Sequence, residues 1–108
     1  ALLSGGQMSE AEHVSTNSKR LHAIVRGRVQ GVNFRSYTVR RATELGLTGW
    51  VRNMSDGTVE TVAEGDHAQL VTFLQFLHEG SPTAIVKQVE EKWEKPTDEF
   101  AGFRVRYS

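Results

Sequence analysis

The chain has 108 residues, no cysteine and a formal net charge of zero, because 13 Lys and Arg residues balance 13 Asp and Glu residues. That length suits one compact domain. The lack of cysteine excludes disulfides and thiolate sites, and the balanced charge argues against a nucleic-acid partner. No apolar run approaches the roughly 18 residues that span a bilayer, and no secretory leader is apparent. We therefore expect a cytoplasmic, monomeric enzyme or binding module that acts on no membrane.

The first 18 residues are rich in Ser, Gly, Glu and Gln and show no apolar period. This composition predicts a disordered tail over residues 1–18. Met8 is the candidate first residue of the natural chain. Residues 1–7 are interpreted as an addition that does not belong to the natural protein. A single domain is predicted over residues 19–108.

The first half of that domain is predicted to fold as strand, loop, helix and strand. Apolar residues alternate over 21–26, which is typical of a strand. A helical period over 34–45 ends at Gly46, where a left-handed cap is expected. A second strand is predicted over 48–53. Phe34 and Tyr37 are predicted to anchor the loop before the first helix to the core. Arg40 and Arg41 are predicted to lie on the solvated face of that helix.

The second half repeats the alternation of strands and a helix. Ser55-Asp56-Gly57 indicates a hairpin, with the returning strand over 58–64. Asp66 is predicted to cap the second helix through its carboxylate. A fourth strand is predicted over 85–93 and a short last strand over 103–107. The core-facing stripe of the second helix consists of Leu70, Phe73, Leu74 and Leu77.

This order of elements predicts an α+β fold. It corresponds to a ferredoxin-like βαββαβ sandwich, in which two helices pack on one face of an antiparallel sheet. This fold accounts for the apolar pattern, but it does not assign a function, because proteins with this fold perform many unrelated functions.

The loop between the first strand and the first helix has the composition of an anion site. Gly27 and Gly31 permit a tight turn in which backbone N–H groups converge. The start of a helix also carries unpaired N–H groups and the positive end of the helix dipole. Arg35 lies in the first helical turn, where its guanidinium can bind two oxygens of one phosphate. The loop lacks the glycine spacing of nucleotide-binding motifs.

Two segments of the chain carry a specific resemblance. Residues 27–35 read Gly-Arg-Val-Gln-Gly-Val-Asn-Phe-Arg, and residues 46–53 read Gly-Leu-Thr-Gly-Trp-Val-Arg-Asn, followed by Asp56-Gly57-Thr58-Val59. The first closely resembles the signature loop of the acylphosphatase family, GRVQGVxFR, and the second resembles another segment of that family. The resemblance covers roughly residues 21–107. Asn33 occupies the variable position, where many members have a small residue, and it is expected to change the rigidity of the loop.

The resemblance implies a hydrolase that cleaves acyl phosphates to a carboxylate and inorganic phosphate, without a metal or an organic cofactor. By motif position, Arg35 resembles the phosphate-binding arginine and Asn53 the residue that positions the attacking water. The phosphate oxygens would be held by the backbone N–H groups of Arg28, Val29, Gln30, Gly31, Val32, Asn33 and Phe34.

The residue types in the two motifs limit the chemistry that they can perform. Neither Arg35 nor Asn53 is a base at neutral pH, and neither motif segment itself, 27–35 or 46–53, contains His, Cys, Asp or Glu. Catalysis would therefore depend on positioning and electrostatics. That suffices for a labile mixed anhydride, whose carboxylate leaving group needs little protonation.

Two other functions remain open at this point. One is a non-catalytic anion-binding or regulatory module of the same fold, which loss of Arg35 or Asn53 would have favoured. The other is an RNA-binding domain, which is disfavoured because the third predicted strand has no aromatic residue and two glutamates. A histidine metal site is also disfavoured, because no two histidines have the spacing of a helical metal motif.

Overall fold

A computed structural model describes residues 17–107 of the chain. The predicted tail lies outside these residues, except for its last two positions. Ser18 already belongs to the first strand, which therefore begins earlier than the alternation of apolar residues indicated. Asp66, Gly65 and Glu64 of a neighbouring strand pair with Ser18, Lys19 and Arg20, so that strand pairing rather than hydrophobicity extends this strand.

Five strands and two helices make up the described chain. Their order is β1 (Ser18–Arg28), α1 (Phe34–Glu44), β2 (Thr48–Asn53), β3 (Val59–Asp66), α2 (His67–Glu79), β4 (Ile85–Glu94) and β5 (Phe103–Val105).

The strands form one sheet in the order β4-β1-β3-β2-β5. The four long strands pair antiparallel, as predicted. The short β5 pairs parallel to β2, which makes the sheet mixed. The predicted ferredoxin-like sandwich is confirmed, and its short edge strand is the one departure from a purely antiparallel sheet.

Both helices pack on one face of the sheet through narrow stripes of buried, mostly apolar residues. The buried positions of α1 are Phe34, Thr38 and Ala42, and those of α2 are Leu70, Phe73 and Leu77. These spacings of three and four residues place each stripe on one side of its helix. The sheet contributes alternate residues to the same core, among them Leu21, Ala23, Val25, Val51, Val59 and Ala63.

Two local predictions about the helices were wrong in part. Asp66 is the N-cap residue of α2, but its side chain makes no capping hydrogen bond. Its backbone has the extended angles that are usual for an N-cap residue, φ −63° and ψ 136°, so the backbone conformation does not account for the missing hydrogen bond. Phe34 is buried as expected, whereas Tyr37 is 37% exposed and does not anchor the loop to the core.

Glu64, near the end of β3, fixes the connection between β4 and β5. Its almost fully buried carboxylate accepts hydrogen bonds from the N–H groups of Thr97 and Asp98 and forms an ion pair of 2.8 Å with Arg20. Burial acts to raise the pKa of this carboxyl, but the hydrogen bonds from Thr97, Arg20 and Asp98 outweigh it and hold the pKa below its usual range. Glu64 thereby holds the segment that leads into β5.

We expect the substitution Glu64→Gln to lower the free energy of unfolding by about 1–3 kcal/mol at pH 7, because charge-assisted hydrogen bonds are lost at a buried position. The folded-state pKa lies below the ordinary value of 4.5. The stabilisation that the ionised Glu64 carboxylate provides is therefore fully present above pH 4.5 and is lost as the pH falls through the pKa of the folded state. Urea unfolding of both proteins between pH 7 and pH 3 should show the difference narrowing on acidification. Equal stability at pH 7 would contradict this role.

Candidate active site

A small cavity lies where the loop after β1, the end of β2 and the segment after β5 meet. Its volume is about 200 Å³, which is below the roughly 300–1,000 Å³ of sites for drug-sized ligands. This size suits a ligand group as small as a phosphate. Its lining consists of Val29, Gly31, Asn33, Phe34, Arg35, Ser36, Asn53, Val105 and Tyr107.

The loop of residues 28–34, called the cradle loop below, bends so that its N–H groups lack partners. Gly31 has φ 74°, and Asn33 has φ 61°, both in the left-handed region. Within residues 17–107, no acceptor receives a hydrogen bond from the N–H groups of 30–33. The first intrahelical bond of α1 runs from the N–H of Tyr37 to the carbonyl of Asn33. Successive unpaired N–H groups in such a bend form an anion site.

Side-chain packing and a backbone carbonyl tie the cradle loop to two other parts of the fold, the core and the segment after α2. Val29, Val32 and Phe34 are buried in the core. The hydroxyl of Ser81, which follows α2, donates to the carbonyl of Val32 at 2.6 Å. Arg28 is instead the last residue of β1, and its exposed side chain does not line the cavity.

Gln30 connects the cradle loop to the hairpin after Asn53. Its side-chain amide donates to the carbonyls of Met54 and Thr58, at 2.8 and 2.9 Å. The same hairpin is closed by Asp56, whose carboxylate accepts hydrogen bonds from Thr58. Gln30 therefore fixes the spacing between the two motifs by its side chain, a role that sequence analysis did not assign.

Gly27 sets the direction in which the chain enters the cradle loop. The register of β1 against β4 shifts between Arg26 and Gly27, and Gly27 has φ 132°. A Cβ atom at this position would lie 2.1 Å from the carbonyl oxygen of Ile85. Only glycine fits such a close approach of two backbones. The glycine that the sequence assigned to a turn therefore lies in β1 opposite a β-bulge, whose extra residue, Lys87, belongs to β4.

Arg35 lies at the wall of the cavity in the first turn of α1, a turn that contains no acidic residue. Its guanidinium carbon is 5.5 Å from the centroid of the Tyr107 ring. No carboxylate in the described part of the chain forms an ion pair with Arg35. The guanidinium is therefore held by an aromatic ring and keeps its donors available for an anion.

Asn53 ends β2, lines the same cavity and carries an unsatisfied polar atom. Its Oδ1 atom is buried and accepts no hydrogen bond from the residues that the structure describes. Buried side-chain oxygens are nearly always paired, so an orphan of this kind calls for an explanation. A carbonyl oxygen beside an anion cradle is a suitable acceptor for a water molecule.

Three lining residues were missed by the sequence analysis. Ser36 lies one helical turn after Asn33, and that spacing could have identified it. Val105 and Tyr107 reach the cavity because β5 pairs parallel to β2. No local pattern in the sequence indicates that pairing.

The cavity lining contains no His, Cys, Asp or Glu among the described residues. Its two hydroxyls belong to Ser36 and Tyr107, and neither has a neighbouring base in the lining to activate it. Residues 17–107 also contain no group of three or more His, Cys, Asp or Glu side chains arranged to hold a metal ion. None of the helices in that range is long and apolar enough to cross a membrane.

The left-handed conformation of Asn33 predicts how substitutions there behave. Asparagine tolerates this conformation, whereas a residue such as alanine pays about 1–2 kcal/mol. We expect Asn33→Ala to lower the free energy of unfolding by about 1 kcal/mol, and Asn33→Gly to leave it within about 0.5 kcal/mol. Urea denaturation of the three proteins measures both effects. An Asn33→Ala protein as stable as the parent would show that the left-handed backbone is not strained.

Comparison with known proteins identifies the family of the chain. The family model described as Acylphosphatase matches residues 21–105. An acylphosphatase of Salinibacter ruber is 51% identical over 82% of this chain and 93% of its own length. An acylphosphatase of Pelotomaculum thermopropionicum is 46% identical over 82% of this chain and 96% of its own length. The structure of an acylphosphatase from Coxiella burnetii superposes with a TM-score of 0.80 at 41% identity, covering 86% of this chain and 97% of that one. The chain therefore belongs to the acylphosphatase family and is an enzyme of that kind.

Proposed function

We propose that this enzyme hydrolyses small acyl phosphates by attack of one water molecule on phosphorus, with Arg35 and the cradle loop holding the phosphoryl group and Asn53 directing the water. One observation carries the proposal. An unpaired buried carbonyl of Asn53, an arginine and the bend of unpaired N–H groups belong to a single small cavity.

The phosphoryl group is held by charge and by hydrogen bonds. Its non-bridging oxygens accept from the N–H groups of the cradle loop and from the guanidinium of Arg35. These donors are fixed before the substrate arrives, because Gln30, Ser81 and the core hold the loop. They therefore stabilise the charge that redistributes over the phosphoryl oxygens in the transition state, without reorganisation.

The water attacks phosphorus in line with the bond to the acyl oxygen. The carbonyl of Asn53 accepts a hydrogen bond from this water, and its amide group donates, so the direction of the water is fixed. The new bond joins the water oxygen to phosphorus, while the bond between phosphorus and the acyl oxygen breaks with its electron pair. The products are a carboxylate and inorganic phosphate. The water proton passes to a phosphoryl oxygen of the substrate, since the lining offers no base.

These residues suit a substrate with a good leaving group. A carboxylate leaves without protonation, whereas the alkoxide of a phosphate monoester needs a general acid, and the described lining contains no His, Asp or Glu to act as one. The substrate class is therefore a mixed anhydride of a carboxylic acid and phosphoric acid. We also propose that the enzyme acts as a cytoplasmic monomer without a nucleic-acid partner; its zero formal net charge supports the last of these points.

A direct test is the hydrolysis of acetyl phosphate by the purified protein, with a phosphate monoester of similar size as the control substrate. We expect release of acetate and phosphate from the first only, and competitive inhibition by inorganic phosphate. Binding of phosphate without hydrolysis of any acyl phosphate would instead favour the alternative, a non-catalytic anion-binding module. Hydrolysis of the monoester in preference to acetyl phosphate would contradict the mechanism.

A further inference from the structure

A second groove adjoins the phosphate cavity along the exposed side of α1. Its volume is about 260 Å³, and it is lined by Asn33, Ser36, Tyr37 and Arg40. Asn33 and Ser36 also line the phosphate cavity, so the two spaces share a wall. These positions follow the spacing i, i+3, i+4, i+7 and therefore form one continuous strip of the helix surface. A substrate whose phosphoryl group occupies the cradle has this strip as a path for the rest of the molecule.

Arg40 lies at the far end of the strip, within reach of an acyl chain. Seven residues of helix separate it from Asn33, which corresponds to about 10 Å along the axis. Helical side chains lean back toward the N-terminus of their helix, so the long side chain of Arg40 shortens this span. An acyl chain of about four carbons, extending from a phosphoryl group in the cradle, spans the remaining distance.

The guanidinium of Arg40 is weakly engaged by the protein itself. It is 74% exposed, and its ion pair with Glu44 has a separation of 3.8 Å between atoms. Glu44 is shared, because Arg41 also forms an ion pair with it, at 3.4 Å. The two arginines and one glutamate leave this end of the groove with a net positive charge. An exposed, shared pair of this kind contributes little stability, so Arg40 can exchange it for a ligand carboxylate.

We propose that this groove is the acyl subsite of the enzyme and that Arg40 selects acyl phosphates whose acyl chain ends in a second anionic group. The assignment rests on the proposed function, since it takes the phosphoryl group to occupy the cradle. Tyr37, which is 37% exposed, forms the apolar wall along which the methylene groups lie. Arg40 is thus a specificity-determining residue that contacts the distal carboxylate, about two helical turns from Asn33 at the cradle end of the groove.

The test compares two substrates that differ at one end. Succinyl phosphate carries a terminal carboxylate where butyryl phosphate has a methyl group. We expect the parent protein to prefer succinyl phosphate in kcat/KM by about three- to fivefold, as one partly exposed ion pair allows. The preference should disappear in Arg40→Ala and invert in Arg40→Glu, mainly through KM. Arg41→Ala is the matched control. It also removes one positive charge that is paired with Glu44, but Arg41 lies outside the groove, so this variant should keep the preference.

The outcomes separate this assignment from the proposed function. If the parent hydrolyses both substrates but Arg40→Ala and Arg41→Ala keep the same ratio between them, the acyl subsite is wrong and the proposed function stands. If Arg41→Ala abolishes the preference as fully as Arg40→Ala, the effect is one of general charge and the assignment is again wrong. If the parent hydrolyses neither substrate, the proposed function fails and this inference fails with it.

Discussion

Replacing Arg35 with alanine is expected to lower kcat/KM for acetyl phosphate by about 10³- to 10⁵-fold, the range for arginines that stabilise a phosphoryl transition state. The guanidinium contributes both to substrate binding and to stabilisation of the transition state. Its loss should therefore raise KM and lower kcat. Inhibition by inorganic phosphate should weaken in parallel. The fold should survive, because the guanidinium contacts the exposed ring of Tyr107, and a contact of this kind is worth about 0.5–1 kcal/mol.

Two further variants show whether charge alone accounts for the effect. Arg35→Lys keeps the charge but loses the planar fork, so it should recover only a small part of the activity. Arg41→Ala removes one positive charge from the same helix outside the cavity and should stay close to the parent. Activity is measured by release of phosphate, and folding by circular dichroism and urea unfolding. A folded Arg35→Ala protein within tenfold of the parent would remove Arg35 from the mechanism.

Local patterns predicted most of the architecture because each element carries its own signal. The period of α2 and the hairpin glycine are determined by neighbouring residues, and β2 was predicted with the bounds that the structure gives, Thr48–Asn53. The assignment of Arg35 and Asn53 came from two motifs rather than from periodicity. The structure adds that both residues line one cavity, which neither motif alone implies.

The parts that sequence analysis missed depend on contacts between distant segments. The amide of Gln30 reaches the hairpin more than twenty residues away. Glu64 binds the backbone of residues 97 and 98. Tyr107 reaches Arg35 only because β5 joins the sheet parallel to β2. Each of these depends on chain pairing in three dimensions, so the sequence near the residue contains no sign of it.

The substitution Asn53→Ala is expected to lower kcat by about 10²- to 10³-fold, the cost of losing one oriented group at a reacting centre. KM should change far less than in the Arg35 variant, since Asn53 orients the water and does not hold the phosphoryl group. Stability should stay within about 1 kcal/mol of the parent, because the buried Oδ1 has no partner in residues 17–107 to lose and an orphan acceptor adds no net stabilisation.

The variant Asn53→Asp distinguishes between two factors that could limit the reaction at this position: the orientation of the water and the removal of its proton. Aspartate matches the shape of asparagine and provides a base, but its carboxylate cannot donate a hydrogen bond and repels the phosphoryl anion. If orientation by the amide is what matters, this variant should also lose at least tenfold in kcat. An Asn53→Asp enzyme as active as the parent would indicate that proton removal limits the reaction. The pH dependence of kcat would then follow the new carboxylate, whereas the parent should show no titration from this position.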